Sequence, residues 1–446
     1  MDHLRRKIIK SSLFLGGMIM ADPVNSIRDM RFLSRDSRKN SGSRIPGKGE
    51  TFNESFVFPD EATGRLTRRL TSFRQFNQKP TYHLSSGFSK DDRYLVFCTW
   101  NPGGDSALIR SDITTGACWV IDRAGPDDRF QFTSGNSLEI MPNTDLAVIR
   151  YGQFFRIYHL HTGDLVQEIG SNGKGFFSGS AGTCDGKHLI VIRNDHDFDF
   201  RRDNGKKDPD KALGYNILRV DLDTGDSEDI FRDEAFRGGH SMPSPVDPDL
   251  LLYHRDSSPR FGHGGDNGKT SRDWILNMRS GQLTEIRPQD PSKFTWHGNW
   301  SYKGDHIYYH GPSGDQSMRE KYEETGSPYK DGPGTRHFIG VAAIDGSIVW
   351  EKQYPYLSYG HVSSHRLQNT IIVDNLLAYE FLSGIHWEER DADDNPRIEL
   401  LAKHNSTFES GAQTRHPHCQ MTSDGKWISY NAQFDDRSDV YVVKMM

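Results

Sequence analysis

Along most of the chain, apolar residues come in short runs broken by turn residues. One phrase recurs. A polar turn such as "DGK" precedes four or five apolar residues; a polar gap, a second apolar run, a "D-x-TG" turn and a last short run follow. It can be read in "SKDDRYLVFCTW…ALIRSDITTGACWVI", "MPNTDLAVIRYGQFFRIYHLHTGDLVQEI" and "CDGKHLIVIR…YNILRVDLDTGDSEDIF". It continues in "VDPDLLLYHRD…DWILNMRSGQLTEIR", "YKGDHIYYHG…HFIGVAAIDGSIVWEK", "LQNTIIVDNLLAYEFLSGIHWEE" and "SDGKWISYNAQFDDRSDVYVV". Runs this short, rich in Val, Ile, Leu, Tyr and Trp and punctuated by Gly and Asp, predict strands. Each unit predicts four strands joined by turns. Such a unit cannot bury both of its faces alone, but seven of them stacked in a ring can.

The last unit ends at "DVYVVKMM" and lacks its "TG" hairpin partner. The segment "FPDEATGRLTRRLTS", Phe58 to Ser72, has that turn but no preceding inner strands. The pattern therefore predicts an all-β, seven-bladed β-propeller in which an N-terminal strand completes the last blade and leaves no open sheet edge.

Composition agrees with many strands around a modest core: 34% hydrophobic, 26% charged, 11% aromatic, with 43 glycines. The net charge of −6, spread over both signs, argues against a nucleic-acid surface. Cys98, Cys118, Cys184 and Cys419 form no CxxC pair, which excludes a zinc-finger reading and favours buried free thiols. The N-terminus, "MDHLRRKIIKSSLFLGGMIMADPV", places Arg5, Arg6 and Lys7 before an apolar run too short to span a bilayer. That order is a signal segment of twin-arginine or Sec type, and it predicts export to the periplasm, with a cytoplasmic location as the alternative. Residues 1–21 are taken as the signal, 22–52 as a flexible polar linker and 53–446 as the propeller. No other stretch could cross a membrane. "GHGGDNGK", Gly262 to Lys269, lacks the spacing of a phosphate loop.

Histidines recur at one place in the repeat. His83, His240, His297, His361 and the pair His416 and His418 each lie nine to eleven residues before the apolar run that follows the first turn. That register puts them at the heads of inner strands, facing one mouth of the central channel. Units two and three carry small or polar residues there, near "TSGNS" and "FSGSAG", and leave that side open. A single such imidazole would serve a backbone carbonyl. Five units in register suit metal binding or acid–base chemistry. In "HPH", period-two geometry turns His416 and His418 to one face and Cys419 to the other. Gln413 lies close by. Imidazoles with an amide oxygen suit Mn²⁺, Zn²⁺ or Fe²⁺.

"HPHCQMTSDGKWISYNAQFDDRSDVYVV" resembles the last blade of the oligogalacturonate lyase family, and the resemblance covers most of the chain from about Asp60. It implies metal ligation by Gln413, His416 and His418 in "Q-x-x-H-P-H" and by His361 in "YGHVSSH". It implies a catalytic base at His297 in "WHGNWSYKGDHIYY" and a substrate-binding arginine at Arg272 in "SRDWILNM". His240, His83 and Arg415 are then candidate substrate contacts. The implied reaction is metal-dependent β-elimination on uronic-acid oligosaccharides, oligogalacturonides from pectin first among them, to 4,5-unsaturated products, with manganese as the favoured ion. Two insertions, "HDFDFRRDNGKKDPDKALG" and "SGDQSMREKYEETGSPYKDGPGTRH", fall in loops, where specificity usually resides. They keep an ulvan- or alginate-type uronide as an alternative substrate. A non-catalytic binding module is the alternative from another class.

Overall fold

The computed structural model describes residues 45–72, 77–133, 138–171, 175–194, 214–234, 237–256, 271–287, 293, 295–313, 336–354, 360–374, 380–406, 416–434 and 437–445. The signal segment, residues 22–44 of the linker, "GHGGDNGK" and nearly all of both insertions lie outside them.

Seven antiparallel sheets follow one another in sequence order, the blades of a seven-bladed β-propeller. The innermost strands are Asn77–Pro80, Leu138–Ile140, Phe176–Gly182, Arg237–Pro243, His297–Trp300, His361–Ser364 and Gln420–Met421. Each blade then runs outward by hairpins, as the turn spacing predicts.

Both faces of each blade are buried, so alternate residues of one strand serve two neighbours. In Tyr94–Trp100 of blade 1, Leu95 and Phe97 pack with Val440 and Val442 of blade 7. Val96 and Cys98 turn the other way, onto Leu138, Ile140 and Ala147 of blade 2. The same sharing joins blades 2 and 3, 3 and 4, 4 and 5, 5 and 6, and 6 and 7. The seven hydrophobic clusters thus alternate with the seven blades, and one of them unites the last blade with the first.

In blade 7 the sheet order places Leu66–Arg69 beside Arg437–Lys444, with Phe56–Pro59 outside it. Thr67, Arg68 and Arg69 pair with Val443, Val442 and Tyr441. The linker boundary at residue 53 needs correction. Thr51–Phe52 adds a fifth strand to blade 1 by pairing with Trp119 and Cys118. The Gly49 amide donates to the Val120 carbonyl, and Ile45 is 1% exposed in the core shared by blades 1 and 7. Residues 45–52 belong to the propeller because Ile45 and Phe52 bury apolar surface there. Among the described residues no helix is long and apolar enough to cross a membrane. Cys98, Cys118 and Cys419 are buried free thiols; Cys184 is only half-buried.

Candidate metal and acid–base site

His297 and His361 open their innermost strands, as the register predicts. The other histidines reach the same region by different routes. His240 sits inside Arg237–Pro243, where the ladder slips between Gly238 and Ser241. His83 lies beyond Asn77–Pro80, in a segment held from across the axis. Its Nδ1 is 2.9 Å from the Val362 carbonyl of blade 6, and Asn299 Nδ2 of blade 5 donates to the His83 carbonyl at 3.0 Å. Gln420 Nε2 of blade 7 donates to the Tyr82 carbonyl at 3.2 Å.

His416 and His418 precede the strand Gln420–Met421 and are not on it. The period-two expectation for "HPH" is therefore corrected: His418 is left-handed, with φ +48°. A carboxylate stabilises that conformation, since the His418 amide donates to Asp374 Oδ2 at 3.0 Å. The two rings nevertheless converge, with centroids 5.5 Å apart. Cys419 turns away, as expected, into the core between blades 6 and 7.

Two groups of ring nitrogens lie within 4.8 Å of one another, spacing that could hold a metal ion: His361, His416 and His418, and His83, His297 and His361. All five side chains are buried. Asp374, fully buried, accepts the His361 amide at 2.5 Å and faces its Nδ1 at 3.1 and 3.2 Å. This second contact directs Nε2 of His361 toward the shared centre, the usual way a carboxylate orients a ligating imidazole. His297 Nδ1 is paired with His310 Nε2 at 3.0 Å.

The donor chemistry fits a divalent ion. Burial holds His83 and His416 down to about 3, and the charge of Lys79 adds to the effect at His416. Burial first, then the crowding of neighbouring histidines with Arg272 or Lys79, hold His297, His361 and His418 well below the ordinary imidazole range. Such rings are neutral and keep lone pairs for ligation. Both ring nitrogens of His418, and Nε2 of His83, meet no hydrogen-bond partner among the described residues. Buried imidazoles are seldom left that way unless another ligand is meant to meet them.

Arg272 is 1% exposed, and its Nη1 donates to the Trp296 carbonyl next to His297. Its charge is among the influences that depress His297 and His83. Gln413 and Arg415 lie outside the described residues. Sequence reasoning missed Asp374, His310, His254, Tyr82 and Lys79. Tyr82 touches four of the histidine rings: His83 at 4.3 Å, His418 at 4.6 Å, His240 at 5.4 Å and His361 at 5.7 Å between centroids. Lys79 is 2% exposed, with Nζ 5.7 Å from the Tyr82 ring centre. A cavity of about 410 Å³ is bordered by His83, Glu139, Asn299 and Gln420.

Fold and site together define a class: a seven-bladed propeller with a buried histidine cluster where its inner strands converge. Among solved structures the chain is similar to an oligogalacturonate lyase in complex with manganese, at 17% identity and TM-score 0.65, over 90% of this chain and 99% of that one. It is also similar to the oligogalacturonate lyase of Vibrio parahaemolyticus, at 16% identity and TM-score 0.64, over 89% and 98%. Hydrazine synthase of Kuenenia stuttgartiensis follows at 11% identity and TM-score 0.52, over 81% and 95%. At these identities the likeness shows the fold. No family model and no curated protein matches the chain.

Proposed function

We propose that this protein is a metal-dependent lyase that cleaves uronic-acid oligosaccharides, oligogalacturonides first among them, by β-elimination to 4,5-unsaturated products. The observation that carries the reading is the convergence of His361, His416 and His418 at ligand spacing beside His297. The propeller likeness to oligogalacturonate lyases, one of them solved with manganese, supports it.

The C5 proton of a uronate is a poor acid, because its removal adds charge next to a carboxylate. A divalent ion held by His361, His416 and His418, with Gln413 as a further ligand, would offset that charge when bound. His297 is the base. Its Nδ1 is engaged by His310, so proton abstraction runs through Nε2. Arg272, fixed by the Trp296 carbonyl, adds positive charge beside the base and favours an anionic substrate.

One observation favours a second reading. His297 also groups with His83 and His361 at ligand spacing. There it would be a ligand and not a base, and the propeller would bind metal without this chemistry. Calorimetric titration with Mn²⁺, run beside an assay for unsaturated product, separates the two. The lyase reading expects His416→Ala to lose both metal binding and turnover. It expects His297→Ala to keep metal affinity and lose turnover by a factor of at least ~100. Loss of metal binding in His297→Ala would favour the second reading.

A further inference from the structure

β-Elimination at this site has a base in His297 and an ion site in the histidine cluster, but the departing sugar oxygen also needs a proton donor. The structure contains a second histidine system of different construction. His240 Nδ1 lies 2.9 Å from His254 Nδ1, and His254 Nε2 lies 2.9 Å from Asp273 Oδ1. His254 and Asp273 are 0% and 1% exposed; His240 is half-buried. The chain thus runs from a sealed carboxylate outward to a ring that reaches solvent.

Local structure aims it. Gly238 pairs with Arg255 and Ser241 with Tyr253, so Gly239 and His240 together oppose the single residue His254. Two residues against one is a bulge, a device that re-aims a side chain. The re-aimed ring stacks on Tyr82 at 5.4 Å and 13°. Tyr82 in turn meets His418 and His361, so His240 stands one aromatic ring from the candidate ion site. Asp273 is also close to the base strand: a Cβ on Gly298, next to His297, would come within 3.1 Å of Asp273 Oδ1.

The proton positions follow by elimination. Burial opposes ionisation of Asp273, but His254 first, then Arg272 and Thr295, together outweigh it, and the carboxyl is held below its usual range. An ionised Asp273 only accepts, so a neutral His254 carries its hydrogen on Nε2 and accepts at Nδ1. His240 Nδ1 must then be the donor, and its exchange with a ligand runs through Nε2. A positive charge on His240 is thereby stabilised along the chain by Asp273. His297, by contrast, is backed by another imidazole. Paired groups with opposed surroundings mark acid and base.

We propose that His240 is the proton donor to the departing glycosidic oxygen, with His254 and Asp273 as positioning residues; the proposal rests on the β-elimination reading. His297 takes the C5 proton, and the C5–H electron pair becomes the second bond between C4 and C5. The C4–O bond breaks with its pair on oxygen, and that oxygen takes the proton from His240 Nε2. His297 ends protonated and His240 neutral; solvent returns one proton to His240 and removes one from His297.

The test compares leaving groups, using the Mn²⁺-loaded full chain. One substrate is trigalacturonate; the other is a galacturonide whose O4 carries a 4-nitrophenyl group, so that the departing 4-nitrophenoxide needs no proton. His240→Gln should slow the first by ~100-fold or more while changing the second only a few-fold. Asp273→Asn should show the same selective loss, smaller in size, and gives the answer independently if His240→Gln folds poorly. Metal affinity should be unchanged in both. Equal loss on both substrates, or no loss on either, overturns the proposal. If the parent chain turns over neither substrate, the β-elimination reading itself falls and takes the donor with it.

Discussion

Single residues decide whether this cluster is a site or a packing feature. Asp374 is the clearest case. It binds the amides of His361 and His418 and faces His361 Nδ1, so it fixes two candidate ligands at once. Asp374→Asn keeps the volume but places an amide where a carboxylate orients the ring. Losing the group that orients a ligating imidazole costs about 10–100-fold in metal affinity, and calorimetric titration with Mn²⁺ should show such a loss; unchanged affinity would contradict the assignment. Glu139 makes a different prediction. It is 4% exposed, and burial pushes its carboxyl up to about 8 against an ordinary 4.5, with the Gly182 amide opposing. Between those values the folded chain keeps a proton that the unfolded chain releases, so Glu139's contribution to stability is present below 4.5 and lost as pH rises through about 8. The slope approaches about 1.4 kcal/mol per pH unit. Denaturant titrations at several pH values should show that slope in the parent and a flatter profile in Glu139→Gln. The histidines were legible in the sequence because five units carry them in register. Their partners were not singled out, although a simple signal exists. His254, His310 and Asp374 follow His240, His297 and His361 by 14, 13 and 13 residues, the return distance of one hairpin. His418 was misjudged because period-two reasoning presumes a strand, and a left-handed residue before Gln420 breaks it.

At the scale of elements, the recurring turn, D-x-x-T-G in "DITTG", "DEATG" and "DLDTG", is legible because it has a mechanism. Asp112 Oδ1 accepts the amides of Thr114 and Thr115 and the Thr114 hydroxyl, and Gly116 follows at φ +74°. Asp60 and Asp221 repeat the motif before Gly64 and Gly225. A side chain that bonds the turn's amides, with glycine at the left-handed position, marks a hairpin in sequence. That is how "FPDEATGRLTRRLTS" could be read as a detached hairpin. The strand Thr51–Phe52 was invisible because two residues carry no period, and its docking depends on Ile45 finding a core several residues away. The outer strands of blade 7 carry a prediction. Removing residues 45–71 takes away Phe56–Pro59 and Leu66–Arg69 and leaves Arg437–Lys444 as an open edge. It also removes Arg65, which bonds Glu399 and the Leu400 carbonyl of blade 6. Thermal unfolding should move to lower temperature, with concentration-dependent aggregation, as exposed edges promote. A truncated chain as stable and monodisperse as the parent would show that these strands are dispensable.

For the whole molecule, the ring brings together residues from five blades that are far apart in sequence. His83 and His418 are separated by most of the chain, yet their rings lie 6.3 Å apart. Clusters shared by successive blades hold that arrangement, with the first and last joined through Leu95, Phe97, Val440 and Val442. An ion that binds only the assembled ring must stabilise it by mass action, by about 2.7 kcal/mol at a hundredfold excess over Kd. Calorimetric melting should therefore shift upward with Mn²⁺ in the parent but not in His416→Ala. The most direct test of the account is catalytic. The metal-stripped chain is given digalacturonate and trigalacturonate, and the ultraviolet absorbance of the unsaturated product is followed before and after Mn²⁺ is restored. The account predicts no rise without the ion, a rise once it is returned, and loss of that rise in His297→Ala. No rise on galacturonides, in protein shown to hold the ion, would contradict the galacturonide assignment, and the same silence across other uronides would contradict the lyase.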